Sequence, residues 1–356
     1  MKRIIIFIIG GLILAGCIIP YEPEIKEGEN RMVVEGRITS LPGPYTVTIA
    51  YSGRYAKDVS GVPEFITGAY VCINDTEGDC EVLQEISRGT YTSREGGIQG
   101  RIGKSYNIEI ITQDGKHYGS KPEKMIQPPP IKRIYDLYNP GSLTAGTGFG
   151  IYSEFDDPAD ETNYYKWETA GWYQWSAECW HRTDDFYPFN LMSDKDFNGK
   201  RRSGIYLVTI PYNSRLPFVV DAYLLALSPD AYKYLYNMEK QVTISGNIFD
   251  SPPSFLRGNI YNQDNPDEIT LGYFYVAGVT EYDYAIDRSR LEESPKNQIF
   301  LVPSPVYCGD PCNYLCVMYS SGHCGFPPCP PECNSLPGNF YKSPEGWPMD
   351  YKACDE

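Results

Sequence analysis

Along residues 31–126 apolar and polar positions alternate in short runs separated by turn formers. Met32-Val33-Val34-Glu35-Gly36-Arg37-Ile38 and Tyr45-Thr46-Val47-Thr48-Ile49 flank Pro42-Gly43-Pro44, the pattern of strand, turn and strand. Gly68–Ile73, Gly89–Thr92, Tyr106–Thr112 and Lys116–Tyr118 continue it, the last two joined across Asp114-Gly115. Strands this short, spaced by Gly, Pro and Asx turns, predict a small β-sandwich. Gln127-Pro128-Pro129-Pro130 closes the block, because a proline run cannot continue a central strand. Beyond it, Ile131–Tyr138, Gly150–Phe155, Tyr164–Glu178, Gly204–Ile210, Phe218–Ala226 and Gly272–Val279 again have strand character.

One helix interrupts them. Ser228 suits the cap, Pro229 the first helical position, and Ala231, Leu235, Met238 and Val242 fall on one stripe. The predicted class is therefore mainly β. An N-terminal sandwich spans 31–126, a larger β-rich domain with a helix near 229–241 spans 127–306, and a Cys-rich segment covers 307–356.

The N-terminus has a different pattern. Lys2 and Arg3 precede the apolar run Ile4–Leu14, which is too short to span a bilayer and has the flanks of an export signal. It ends in Leu14-Ala15-Gly16-Cys17, which resembles the bacterial lipobox, whose Cys sulfur takes a diacylglycerol before cleavage. The alternative is a plain secretory signal ending near a Cys. On the lipobox reading, 1–16 is a signal peptide, Cys17 is the lipidation site, and the polar, Glu- and Pro-bearing stretch 17–30 is a tether. Each buried methylene of the attached chains adds about 0.8 kcal/mol of membrane affinity. The location implied is the outer membrane, on either its periplasmic or its surface side.

The composition agrees with an exported β protein. Tyr 31, Gly 33 and Pro 29 are high and His 3 is low. The net charge is −15, and losing Lys2 and Arg3 with the signal takes it to −17. That balance argues against a nucleic-acid partner, which needs a basic face.

Eleven Cys remain to be placed, one of them Cys17. Cys72 and Cys80 bracket the turn Asn74–Gly78 and form a plausible local pair. Cys308, Cys312, Cys316, Cys324, Cys329, Cys333 and Cys354 make an odd cluster that needs an outside partner, and Cys179 is the one left. The rival is zinc, since Cys308-x3-Cys312-x3-Cys316 and Cys329-x3-Cys333 have ligand-like spacing with His323 nearby. An oxidising compartment favours disulfides.

No catalytic signature emerges. His117, His181 and His323 are scattered, and no Gly-x-Ser-x-Gly elbow is present. Gly97–Gly103 lies between strands, unlike a nucleotide loop, and no cofactor or metal is expected. Asp156-Asp157 and Asp160-Glu161 read as a solvated acidic turn, with a calcium site as the rival. Trp172, Trp175 and Trp180 are candidates for a ligand-stacking surface. The rival, and favoured, reading is structural core, because Tyr165, Trp167, Thr169 and Tyr173, Trp175 alternate as a half-buried strand does.

Several blocks carry a resemblance. Arg31–Thr39 with Pro42–Val47, Asp157-Pro158 to Trp167, Asp196–Gly199, Leu227–Tyr234, Phe249–Pro253, Arg257–Asn262 and Asp267–Phe274 follow one another in the order seen in a family of Bacteroidota lipoproteins built on a domain of unknown function. The first domain also resembles Ig-like, transthyretin-like and carboxypeptidase-regulatory-like sandwiches. The family resemblance implies a non-catalytic accessory subunit beside a SusC-like TonB-dependent barrel, in an uptake or assembly complex. A glycan- or peptide-binding surface lipoprotein and an exported hydrolase are the other readings. The Cys-rich end, Cys308–Cys354, departs from the family pattern. The chain does not resemble the mostly helical SusD-type partner.

Overall fold

The computed structural model describes residues 30–52, 64–139, 148–159, 161–174, 180–183, 190–211, 218–242, 256–286 and 340–341. The first part of the chain gives β1 (Met32–Thr39), β2 (Thr46–Tyr51), β3 (Glu64–Phe65), β4 (Tyr70–Asp75) and β5 (Cys80–Val82). Then come β6 (Gln84–Ser87), β7 (Thr90–Thr92), β8 (Ser105–Ile111), β9 (His117–Ser120) and β10 (Glu123–Lys124). After the proline run follow β11 (Ile131–Asn139), β12 (Gly148–Asp156), β13 (Tyr164–Gln174), β14 (Trp180–Thr183), β15 (Asn190–Ser193), β16 (Arg201–Pro211) and β17 (Phe218–Ala226). Helix α1 (Pro229–Val242), β18 (Ile260–Asn262), β19 (Leu271–Ala285) and β20 (Phe340–Tyr341) complete the described chain. The protein is mainly β, with three sheets and one α-helix among the described residues.

The eleven-stranded sheet runs β20-β14-β13-β17-β19-β1-β2-β7-β6, with β15 beside β13 and β3 beside β2. The six-stranded sheet runs β18-β9-β8-β4-β5 with β10 beside β8, and the three-stranded sheet is β11-β12-β16. One hydrophobic core fills the space between β1, β2 and β7 and the six-stranded sheet. Met32, Val34, Ile38, Val47 and Ile49 meet Val71, Ile73, Ile108 and Ile110, all fully buried. That period-2 burial is the one the sequence alternation predicts. A second core lies between the three-stranded sheet and β13 and β17, where Phe149, Ile151 and Phe155 meet Trp167, Val220 and Leu224.

The two cores share one sheet because β1 pairs in parallel with β19, from Val33↔Leu271 to Thr39↔Ala277. The first sandwich accordingly takes Phe274, Val276 and Ile260 from late in the chain into its core. The 128–130 prolines lie between β10 of the six-stranded sheet and β11 of the three-stranded sheet.

Helix α1 starts where the sequence predicts. Ser228 Oγ accepts from Ala231 N at 3.0 Å, and Pro229 opens the helix without needing an N–H partner. Ala231, Tyr234 and Leu235 pack on Leu225, Tyr273 and Ala277, on the face of the large sheet opposite the second core. Val242, expected on the buried stripe, is 69% exposed, at the last residue of the helix.

Candidate functional site

Strand β13 is an interior strand near one end of the large sheet, with β17 on one edge and β15 and β14 on the other. Tyr165 and Trp167 point into the second core, where Phe155 lies 5.1 and 6.2 Å from their ring centroids. Alternation would leave Lys166 and Glu168 in water, yet both are buried. Glu168 Oε1 accepts from Lys166 Nζ at 2.6 Å and from Arg37 Nη1 at 2.5 Å. Arg37 donates also to the Tyr275 hydroxyl at 2.9 Å. Arg37 is opposite Tyr275 across β1 and β19, and its guanidinium reaches over the sheet to Glu168 on β13.

Burial would push the Glu168 carboxyl up, but Arg37 and Lys166 outweigh it and hold it below its ordinary value. Burial likewise works against the Lys166 and Arg37 charges, and Tyr275 and Glu168 hold both groups protonated. The cluster is thus a knot, ionised at neutral pH, that ties β1 to β13. It is not poised to exchange a proton near neutrality.

Other acids are also committed to partners. Asp157, read as part of a solvated turn, is buried and accepts from the Tyr165 hydroxyl at 2.6 Å and from Gly199 N at 2.9 Å. Its neighbour Asp156 is at the surface, bound by Arg201 at 2.8 Å and Lys132 at 3.0 Å. Asp221 and Asp283 are opposite each other across β17 and β19, and burial raises the Asp283 carboxyl above its ordinary range against a hydrogen bond from Asp221. In the Gly97–Gly103 loop, the Glu81 carboxylate accepts from the N–H groups of Arg94 and Ile98, so a side chain of the protein occupies the place an anion would take. Among the described residues no group of three or more His, Cys, Asp or Glu could hold a metal ion.

A groove of about 610 Å³ opens where the chain enters β1. Arg31, Tyr51, Glu64, Lys116 and Glu268 line it, a mixture of both charges. Glu268 is occupied by the Tyr118 hydroxyl at 2.9 Å and Asn262 Nδ2 at 2.6 Å, and Lys116 by Asp114 at 3.0 Å.

Of the residues singled out from sequence, Cys72 and Cys80 are joined by a disulfide, their Cα atoms 5.9 Å apart across β4 and β5. Trp172 and Trp180 belong to the adjacent strands β13 and β14, opposite Arg182 and Gln174 respectively. Trp175, Cys179, Cys17 and the cluster Cys308, Cys312, Cys316, Cys324, Cys329, Cys333 and Cys354 lie outside the described residues.

The block Arg257–Asn262 has a clear physical role. Asn259 Nδ2 donates to Phe274 O at 2.7 Å and its Oδ1 accepts from Phe274 N at 3.0 Å, so one amide substitutes for a strand neighbour beyond the last β17 rung at Gly278. Gly258 abuts Gly272, where a Cβ would lie 1.5 Å from the Gly272 oxygen. Gly272 in turn has φ +87° against the Val34 backbone. This clamp delivers β19 to β1. The chain matches the family described as Domain of unknown function (DUF4249) over residues 18–283. It belongs to that family. A search of curated proteins finds no match.

Sequence reasoning missed the Arg37–Glu168–Lys166 knot, though one signal was present. A Lys-x-Glu pair interleaved with Tyr-x-Trp marks a strand with no face to spare for solvent when that strand is central.

Proposed function

We propose that this DUF4249 protein is a non-catalytic, lipid-anchored subunit that assists a SusC-like TonB-dependent barrel of the outer membrane in uptake or assembly. The observation that carries the reading is the tetrad Leu14-Ala15-Gly16-Cys17, with the family match beginning at the next residue. Residues 18–31 between that Cys and β1 can span at most about 50 Å, which keeps the β assembly within reach of a barrel in the same membrane.

The second support is electrostatic. The buried acids and bases described above are tied into pairs, which favours a scaffold over a reaction centre. The first sandwich fits a carboxypeptidase-regulatory-like module, and the Cys-rich end fits a disulfide-braced segment. Among the described residues no helix is long and apolar enough to cross a membrane, so on this reading attachment falls to Cys17.

Affinity purification of the tagged protein from native membranes tests the proposal. The expected result is co-recovery of an outer-membrane barrel, lost in Cys17→Ser. Recovery of the acylated protein alone after mild cross-linking would overturn it.

A further inference from the structure

The outer face of the three-stranded sheet carries a pattern that no part of the scaffold uses. Tyr135, Tyr152 and Tyr206 are opposite one another across β11, β12 and β16. Tyr135 and Tyr152 stack with centroids 5.7 Å apart, and Tyr206 meets Tyr152 edge-on at 5.8 Å. Tyr206 is 51% exposed and Leu137, one rung along, is 56% exposed. Leu137 is opposite Gly150, and the Tyr152 ring lies over that glycine. On the other side of the rings, Arg133 lies 4.3 Å from the Tyr135 centroid and is opposite Glu154. The next rung holds Asp156 with Arg201 and Lys132 at 2.8 and 3.0 Å.

Three features narrow the occupant. Strands about 4.8 Å apart make the tyrosine row roughly 10 Å wide, and four same-face rungs run about 20 Å. The patch is therefore roughly 200 Å², well under the ~800 Å² per partner that a stable protein interface needs. The rings are tilted differently, by 22° and 66°, so they form an uneven shelf and not the slot a flat aromatic ligand would enter. The charge is locally reversed: Lys132, Arg133 and Arg201 exceed Glu154 and Asp156 on a chain whose net charge is −15. Arg201 and Lys132 hold carboxylates already, whereas Arg133 stacks on a ring with no carboxylate partner among the described residues.

We infer that this face binds an acidic oligosaccharide, with the C–H faces of successive sugar rings on Tyr152 and Tyr206 and a uronate carboxylate on Arg133. Stacking on tyrosine favours flat apolar faces edged by polar groups, and an arginine offers a carboxylate two parallel N–H donors. The inference does not depend on the barrel partner, since it concerns the isolated protein and a soluble glycan.

Calorimetric titration of the purified protein with tetragalacturonate, tetramannuronate, a chondroitin tetrasaccharide and neutral cellotetraose tests it. At least one acidic tetrasaccharide binds at least tenfold tighter than cellotetraose. Tyr206→Ala weakens that binding tenfold or more, and Arg133→Gln abolishes the preference for the acid while leaving the melting temperature unchanged. Tyr206→Phe, which keeps the ring, retains binding within a few-fold. The inference is overturned by no binding of any acidic probe at millimolar concentration, by binding indifferent to Tyr206→Ala, or by binding to phosphatidylglycerol vesicles alone.

Discussion

Glu168→Gln removes the one anion of the Arg37–Glu168–Lys166 knot and nothing else of comparable size. Glu168 and Lys166 side chains are 9% and 10% exposed, whereas Arg37 is 41% exposed. Arg37 can therefore keep its charge hydrated after the change, and Lys166 cannot. Stranding one buried charge costs about 3–5 kcal/mol. The partial escape of Arg37 places the expected loss near the lower end, about 3 kcal/mol. With a urea slope of about 3 kcal/mol per molar, the unfolding midpoint falls by about 1 M.

The same argument makes Lys166→Met, Glu168→Gln together milder than Glu168→Gln alone, because the stranded cation is gone; at least about 2 kcal/mol returns. Burial opposes the Glu168 charge, but Arg37 and Lys166 depress its pKa below the ordinary 4.5. The stability it contributes is present above that value and is lost as pH falls through the depressed one. The gap between wild type and Glu168→Gln must therefore close on acidification below about pH 4.5. Urea titrations followed by tryptophan emission at neutral and acid pH measure all of this. A midpoint shift under about 0.3 M, or a double variant no better than the single, would refute a buried ionic knot.

Glu123 gives the opposite sign. Burial raises its carboxyl above 4.5, against hydrogen bonds from Tyr273 and Ser228, so folding favours its protonated form and stability is lost as pH rises through the raised value. Glu123→Gln should gain on wild type between pH 4 and 7 in thermal melts, and a constant difference would contradict the assignment. Gly272→Ala puts a Cβ 2.0 Å from the Val34 oxygen at a positive φ, and should abolish the β1–β19 pairing, read as lost amide protection in β1 by hydrogen exchange. Replacing Cys72 and Cys80 by Ser reopens a loop of sequence separation 8 and should cost about 2.5 kcal/mol by chain entropy, measured by urea midpoint. Asn259→Ala removes both hydrogen bonds to Phe274 and should cost about 2 kcal/mol, while Asn259→Asp restores only the acceptor half.

Local features were legible in the sequence to the extent that local forces make them. Ser228-Pro229 marks the start of α1, and the alternation of Met32–Ile38 and Tyr106–Ile110 gives the buried faces of β1 and β8. What period alone does not contain is the partner. The parallel pairing of β1 with β19 joins residues more than two hundred positions apart, and nothing in Met32–Thr39 says that its free edge is taken. That pairing carries Arg37 to Glu168, so Lys166 and Glu168, which periodicity assigns to solvent, are buried with the carboxylate shared between two cations.

The tyrosine shelf was hidden for the same reason. Tyr135, Tyr152 and Tyr206 are ordinary strand positions in three separate runs, and only register sets them in line. Asp157 is the converse case, where an acidic run suggested solvent and two donors, the Tyr165 hydroxyl and the Gly199 N–H, draw one member inside.

The central claim is that the polypeptide is fastened to a bilayer through position 17. Mass spectrometry of the N-terminal peptide released from membrane-purified protein tests it most directly. The expected result is a mature terminus at Cys17 carrying a thioether-linked diacylglycerol and no trace of Met1–Gly16. A free or disulfide-bonded thiol at Cys17, or a terminus elsewhere, would contradict it.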